Sequence, residues 1–265
     1  MSNQRCGVAL SHPHELACME IWGGNRKTVA RVELPGLAGW VYCKPFGDDR
    51  GGGDLHYLSV CDKGILSRVA VADVAGHGHA VSAMAGRLHN LMRESISTWD
   101  QTEFMQKLNQ HLRRERVDLE YATVSVLGYY RPEGCLAITN AGHPPPLWYH
   151  AADNSWSWLE ETAASERSEL YSLPIGLIPG TDYRQTLVAL GPRDLLVLYT
   201  DGITEAENGA GDQVGRELLR NWAECAPRDS PEAVGEALLD QLARFRNGNP
   251  ADDETLIVLQ HIGER

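Results

Sequence analysis

The sequence predicts an α+β fold, a four-layer α-β-β-α sandwich in which two antiparallel sheets lie face to face and a helix pair flanks each outer side. The first observation is the order of the elements, which runs strands, two helices, strands, two helices, strand. The second is that neighbouring strands are joined by short turns, which favours antiparallel pairing over repeated β-α-β crossovers. Packing the sheets together with helices outside buries every apolar face.

The strands of the first half follow residues 1–27, which are predicted to be an irregular N-terminal extension packed on the domain. Short β-branched and aliphatic runs bounded by Gly are typical of buried strands. Such runs occur at 28–34, 39–44, 55–61 and 66–72. No repeat or linker interrupts residues 28–265, which are predicted to form a single domain.

A helix pair follows these strands. Apolar residues recur at steps of three and four over 79–97, which predicts a helix with one buried stripe. Asp100 is followed three residues later by Glu103, a spacing that resembles a capping box and predicts a second helix over 101–115.

The second half repeats the arrangement. Strands are predicted at 121–130, 136–140, 147–150, 155–160, 185–190, 195–199 and 254–260. Two helices precede the last strand, one near 214–223 and one that begins with Ser230 as N-cap and Pro231 in the first helical position.

Composition limits the functional classes. The chain of 265 residues has a formal net charge of −12, which disfavours nucleic acid or an anionic membrane as the main partner. No apolar run approaches the roughly 18 residues of a membrane helix, and no signal peptide is visible, so a cytoplasmic location is expected. Six scattered cysteines with no Cys-x-x-Cys pair exclude a zinc ribbon or a disulfide framework.

Aspartates recur where the predicted core strands begin or end. Asp73 and Asp201 each end an apolar strand at a glycine turn, and Asp54 and the pair Asp252-Asp253 each precede one. If these carboxylates converge, they repel one another unless cations join them. Carboxylate oxygens suit the hard cations Mg²⁺ and Mn²⁺, so the pattern predicts an oxygen-ligand metal site.

Such a site predicts a chemistry. Two ions sharing a bridging carboxylate could activate one water and polarise a phosphoryl oxygen, without a protein nucleophile. The chain contains no Gly-x-Ser-x-Gly elbow, Walker loop or Cys-x₅-Arg phosphatase loop, and this mechanism requires none of them.

Five motifs in one order make the pattern specific. They are Gly52-Gly53-Asp54, Asp73-Val74-Ala75-Gly76-His77-Gly78, Asn140-Ala141-Gly142-His143-Pro144-Pro145-Pro146, Tyr199-Thr200-Asp201-Gly202-Ile203-Thr204-Glu205-Ala206 and Asp252-Asp253-Glu254-Thr255-Leu256. Over about residues 40–262 the chain resembles the PPM-type protein phosphatases of the phosphatase 2C superfamily, and most closely their bacterial SpoIIE-like branch, named after stage II sporulation protein E.

The resemblance implies a PPM phosphatase-like fold and a Mn²⁺- or Mg²⁺-dependent phosphoserine/phosphothreonine phosphatase. Carried over by position, Asp73 would bridge two metals and the Val74 carbonyl would complete the first site. Asp201 and Asp252 would bind the second metal, with Asp253 as the neighbouring alternative to Asp252. Asp54 would hold metal or metal-bound water. The residues expected to support these ligands are Gly53, Gly76, His77 and Gly202.

The resemblance also implies partners. The usual substrate in this branch is a small phosphorylated protein, such as an anti-sigma-factor antagonist, in a partner-switching circuit. The helices at 79–97 and 101–115 resemble the pair through which relatives are regulated and dimerise. The chain departs from the family at Tyr57, where many relatives have a further Asp.

Several interpretations remain open. His77 could form a zinc pair with His79 or act as general acid, but a role in stabilising the turn is favoured. His143 is expected to fix a tight turn by hydrogen bonding. A catalytically silent binding or scaffold module is the alternative to an enzyme, and a small-molecule phosphohydrolase would use the same metals.

Overall fold

The computed structural model describes residues 13–47, 51–76, 79–114, 121–159, 173–246 and 248–263. Strands and helices are numbered in chain order. The seven-stranded sheet has the order β1 (His14–Glu15), β3 (Thr28–Leu34), β4 (Leu37–Lys44), β13 (Glu254–His261), β12 (Leu195–Tyr199), β9 (Leu147–His150) and β10 (Ser155–Trp158). The six-stranded sheet has the order β11 (Gln185–Ala189), β8 (Cys135–Ala141), β7 (Ala122–Tyr130), β6 (Leu66–Val74), β5 (Leu55–Cys61) and β2 (Ile21–Gly24).

Two pairs of longer helices cover the outer faces. The first pair is α1 (His79–Glu94) and α2 (Gln101–Arg114), and the second is α4 (Gly215–Cys225) and α5 (Pro231–Phe245). A single helical turn, α3 (Asp201–Thr204), follows β12 directly.

Three apolar layers confirm the α-β-β-α sandwich. Leu58 and Val71 from one sheet pack against Ile257 and other residues of the opposite sheet in the central layer. Helices α1 and α2 bury their apolar stripes on the six-stranded sheet, and α4 and α5 bury theirs on the seven-stranded sheet. Every ladder is antiparallel except the two-residue pairing of β1 with β3. In the part of the chain that is described, no helix has the length and apolarity needed to span a membrane.

The expectation of an irregular stretch before residue 28 is wrong for two segments. Strand β1 pairs with β3 at the edge of one sheet, and β2 pairs with β5 at the edge of the other. Backbone bonds extend these pairings, for example from the Met19 N–H to the Val60 carbonyl at 2.7 Å. The segments escaped detection because β1 has only two residues and β2 ends in Gly23-Gly24, so neither shows an apolar alternation.

The N-caps expected from the sequence are confirmed. The Asp100 carboxylate accepts a hydrogen bond from the Glu103 N–H at 2.9 Å, and the Ser230 hydroxyl oxygen accepts one from the Ala233 N–H at 3.1 Å. Both bonds satisfy a backbone donor that has no partner within the helix.

Replacing Ser230 with Ala is expected to lower the free energy of unfolding by about 1 kcal/mol, because the first turn of α5 loses its side-chain acceptor. Urea denaturation in EDTA measures the change. Ser230→Asp, which keeps an acceptor oxygen, is the control and is expected to stay near wild type. An unchanged midpoint in Ser230→Ala would show that the cap contributes nothing.

Candidate metal centre

Four chain segments that carry the predicted aspartates meet at one end of the sandwich. In the six-stranded sheet Leu55 pairs with Ala72, so that one position further along both strands Asp54 lies opposite Asp73. In the seven-stranded sheet Tyr199 pairs with Leu256, which places the end of β12 beside the start of β13. Antiparallel pairing therefore puts Asp54 next to Asp73 in one sheet, and the segments carrying Asp201 and Asp252 next to each other in the other sheet.

Thr200 joins the two sheets at this end. Its hydroxyl donates a hydrogen bond to Asp54 Oδ2 at 2.7 Å and accepts one from the Thr255 N–H at 3.0 Å. Thr200 is fully buried and Asp54 is 2% exposed. Thr200 is not predicted as a site residue from the sequence, where its one signal is its position directly before Asp201. Thr200 therefore fixes the Asp54 carboxylate relative to the strand ends of the other sheet.

The carboxylates act on one another electrostatically. Burial, followed by the charges of Asp201, Asp252 and other acidic neighbours, raises the pKa of Asp73 from 3.8 to about 7. Burial, Glu205 and Asp252 raise the pKa of Asp201. Glu205, which the sequence does not single out, thus belongs to the charged surroundings of the site. The contributions of neighbouring carboxylates to both shifts show that acidic groups lie close together at this point of the protein.

Asp54 experiences the same field from a deeper position. Burial raises its pKa well above the usual range, and Asp73 and Asp253 add to the effect. The hydrogen bond from Thr200 opposes the shift because it stabilises the charged form. A fully buried carboxylate without a cationic partner is costly, so the site is suited to a bound cation.

The donor set fits a hard divalent cation. It consists of carboxylate oxygens and the Val74 carbonyl, which lies beside the loop at Gly53. Among the described residues, no three carboxylate, imidazole or thiol groups already form a complete metal site.

Asp252 and Asp253 have different environments. The Asp253 carboxylate accepts hydrogen bonds from the backbone N–H groups of Phe46 at 2.5 Å, Gly53 at 2.5 Å and Asp54 at 3.2 Å. Asp252 is exposed, and its Oδ1 accepts a hydrogen bond from the Asp253 N–H at 2.8 Å. Asp253 therefore holds the Asp54 loop in place, whereas Asp252 faces outward beside Asp73 and Asp201.

His143 has the hydrogen-bonding role expected of it. Its Nε2–H donates to the Tyr199 carbonyl at 3.1 Å, and its Nδ1 accepts from the Thr123 hydroxyl at 2.8 Å. The Asn140 side chain closes the turn by bonding the backbone N–H and carbonyl of His143, both at 2.8 Å. Burial lowers the His143 pKa to about 3, so the ring is neutral. Because Thr123 of β7 pairs with Asp73 of β6, the ring ties the end of β12 to the neighbour of the strand that carries Asp73.

Two of the predicted supporting glycines are required by close packing. A Cβ on Gly202 would lie 2.0 Å from the Asp253 carbonyl oxygen, and one on Gly53 would lie 2.6 Å from Val81 Cγ1. Gly76 has φ +123°, a conformation that favours glycine. His77 lies outside the described residues, so the expectations for it stay predictions.

Tyr57 points away from the carboxylates. It is fully buried between β5 and α1, where its hydroxyl donates to the Met92 carbonyl at 3.5 Å and its ring lies edge-on to His89. Tyr57 thus belongs to the helix-facing core.

The raised pKa of Asp73 predicts a pH dependence. The folded state keeps a proton on Asp73 that the unfolded state has released, so this group stabilises the metal-free protein at low pH and the stabilisation is lost as pH rises toward about 7. The difference between the unfolding temperatures of wild type and Asp73→Asn in EDTA isolates the effect. From pH 5 to pH 8, the unfolding temperature of the wild type is expected to fall relative to that of Asp73→Asn. A constant difference would contradict the assignment.

Comparison with known proteins places these segments in a family. The model of the stage II sporulation protein E (SpoIIE) family matches residues 66–262, a range that includes Asp73, Asp201 and Asp252 and excludes Asp54. The chain is 26% identical over 208 residues to the phosphoserine phosphatase RsbU of Bacillus subtilis (strain 168), covering 77% of this chain and 58% of RsbU. It therefore spans less than two thirds of that relative.

Solved structures share the fold. The RsbU and RsbW domains of a Mycobacterium tuberculosis protein superpose with a TM-score of 0.71 and 22% identity, covering 94% of this chain and 64% of that one. The phosphatase 2C domain of SpoIIE from Bacillus subtilis, solved with a fragment of its regulatory domain, gives a TM-score of 0.68 and 16% identity, covering 91% and 71%. At these identities the likeness shows the fold.

Proposed function

Because this chain belongs to the stage II sporulation protein E (SpoIIE) family, we propose that it is a metal-dependent protein phosphatase that hydrolyses phosphoserine or phosphothreonine at the carboxylate cluster. The observation that carries the proposal is the convergence of Asp73, Asp201 and Asp252. Burial, followed by the charges of Asp201 and Asp252, raises the pKa of Asp73 to about 7. A phosphomonoester is itself an anion, so it can approach these groups only when cations offset their charge. The carboxylate cluster is therefore suited to bind a phosphomonoester with cations present and not without them.

The carboxylates and one backbone carbonyl of this cluster would bind two Mn²⁺ or Mg²⁺ ions. Asp73 would serve both ions, and the Val74 carbonyl would complete the first site. Asp201 and Asp252 would hold the second ion. Support for Asp252 over Asp253 comes from the three backbone N–H groups that already occupy the Asp253 carboxylate. When bound, the pair of cations supplies an activated water and offsets charge on the phosphoryl oxygens.

Asp54 and Thr200 serve the same centre from one side. The Thr200 hydroxyl orients the Asp54 carboxylate and favours its charged form, against the burial that raises the Asp54 pKa. The charged form is the one that would face a cation or its hydration water. The buried His143 is neutral and bonded at both ring nitrogens, so it keeps Tyr199 in place and takes no part in proton transfer. Thr200 and His143 thus orient the segments that carry the ligands without entering the reaction.

The substrate class follows from the relatives and is part of the proposal. RsbU is a phosphoserine phosphatase by name, and a neighbouring structure joins an RsbU domain to an RsbW domain. We infer that this chain acts on a small phosphorylated regulatory protein, such as an anti-sigma-factor antagonist in a partner-switching circuit. Helices α1 and α2 would receive a regulator or a second copy. In support, Trp99 between them is 46% exposed.

A cytoplasmic setting is proposed on the state of the cysteines. Cys18, Cys43, Cys61, Cys135 and Cys225 are free thiols. Free thiols persist in a reducing compartment.

The proposal is tested by comparing kcat/KM for phosphoproteins with kcat/KM for small phosphomonoesters. The purified chain with Mn²⁺ is given a panel of phosphoserine proteins from partner-switching systems and a matched panel of small phosphomonoester metabolites. Higher kcat/KM on a phosphoprotein is the expected result. Higher kcat/KM on a metabolite would favour a small-molecule phosphohydrolase, and metal binding without turnover on either panel would favour a scaffold.

A further inference from the structure

Asn25, which directly follows the edge strand β2, makes a two-way contact with the loop before Asp54. The Gly52 N–H donates to the Asn25 backbone carbonyl at 2.9 Å, and Asn25 Nδ2 donates back to the Gly52 carbonyl at 3.0 Å. The peptide of Gly52 is therefore held on both its polar groups by one residue of the N-terminal segment.

The same side-chain amide reaches helix α1. Asn25 Nδ2 lies 3.2 Å from the Ser82 carbonyl oxygen and 3.1 Å from Ser82 Oγ, in the first turn of the helix. An amide nitrogen carries two hydrogens, so one is directed at Gly52 and the other is shared between the two Ser82 oxygens. A single half-buried side chain thus joins β2, the loop at 51–54 and the start of α1.

The contact is tightly coupled to the metal centre. The Val74 N–H donates to the Gly53 carbonyl at 3.3 Å, and the N–H groups of Gly53 and Asp54 both donate to Asp253. The loop is closely packed against its neighbours. A Cβ on Gly51 would lie 2.9 Å from Ser82 Oγ, and one on Gly53 would lie 3.1 Å from the Val74 carbonyl oxygen. A displacement of Gly52 would therefore disturb Asp54 and the backbone at Val74, which are bonded to the same loop.

We propose that Asn25 is a positioning residue of the metal centre, which sets the cation affinity by holding the loop at 51–54 against the first turn of α1. Since Asn25 continues β2, the pairing of this edge strand with β5 becomes part of the site's geometry. A protein that displaced β2 would weaken cation binding without touching a metal ligand. The inference rests on the proposed metal centre and is independent of the substrate.

The test compares Asn25→Ala with Asn90→Ala in the full chain. Asn90 is an exposed residue of the same type that lines the same groove between β2 and α1, so it controls for a surface change at this place. Calorimetric titration with Mn²⁺ is expected to show about 10- to 100-fold weaker binding for Asn25→Ala and unchanged binding for Asn90→Ala. At saturating Mn²⁺, turnover of Asn25→Ala is expected to return to within about threefold of wild type.

Hydrogen exchange in EDTA provides a readout that depends on neither metal nor activity. The amides of Gly52, Gly53 and Asp54 are expected to exchange faster in Asn25→Ala, while amides in the centre of β6 keep their protection. Should Asn25→Ala fail to fold, Asn25→Ser offers one donor in place of two and is expected to show the same change more weakly. If the amides of this loop exchange in Asn25→Ala at the same rate as in the wild type, the positioning role is overturned. Absence of Mn²⁺ binding in the wild type would instead overturn the proposed metal centre, with the exchange result still deciding on Asn25.

Discussion

Replacing Asp73 with Asn is expected to lower Mn²⁺-dependent phosphatase turnover roughly 10³-fold, which corresponds to about 4 kcal/mol of transition-state stabilisation. The amide keeps the shape of the side chain and removes the charge that the proposed bridging role requires. Initial rates with p-nitrophenyl phosphate measure the loss. Asp240→Asn, an exposed position on α5, is the matched control and should keep full activity.

The same substitution is expected to leave the metal-free protein at least as stable as wild type. Burial and the neighbouring carboxylates raise the Asp73 pKa to about 7, so at pH 8 the wild-type side chain is charged and repelled. A neutral amide removes that repulsion. Mn²⁺ should raise the unfolding temperature of wild type, because a ligand that binds only the folded state stabilises it, and should have little effect on Asp73→Asn. Retention of more than a tenth of the turnover would contradict the bridging role.

Replacing Thr200 with Val is the second large effect. The isosteric change removes the donor to Asp54 and the acceptor for the Thr255 N–H, leaving two buried polar groups without that partner. The free energy of unfolding is expected to fall by about 1–3 kcal/mol. In the wild type, the hydrogen bond from Thr200 lowers the Asp54 pKa. Without this bond the Asp54 pKa should rise further, and Mn²⁺ binding should require a higher pH.

Thr200→Ser separates the hydroxyl from the methyl group. It retains the donor and is expected to bind Mn²⁺ as wild type does, whereas Thr200→Val should bind about 10- to 100-fold more weakly. Urea unfolding in EDTA and calorimetry at pH 7 and pH 8 provide the two readouts. Equal affinity in both variants would mean that Asp54 needs no support from the opposite sheet.

Much of the fold could be predicted because the core strands carry the apolar signal. The strands at 28–34, 55–61, 147–150 and 195–199 have the predicted bounds. Elements without periodicity were missed. Strand β2 ends in Gly23-Gly24, and the single turn α3 is too short to show a helical repeat.

The site divides in the same way. The aspartates could be singled out because each follows or precedes a recognisable strand. Their supports could not, since they act between distant segments: Thr200 reaches Asp54 across 146 positions of the chain, and Asp253 reaches Gly53 across 200. Such hydrogen bonds form only when the two sheets pack against each other, so no local sequence pattern predicts them.

The central claim is that the carboxylate end of the sandwich is a phosphatase centre that works only with divalent cations. The most direct measurement is the initial rate of p-nitrophenyl phosphate hydrolysis by the purified chain in Mn²⁺, in Mg²⁺ and in EDTA. Turnover with either cation, abolished by EDTA and restored by adding the cation back, is the predicted result. Turnover that persists in EDTA would contradict the claim, because the hydrolysis would then proceed without a divalent cation.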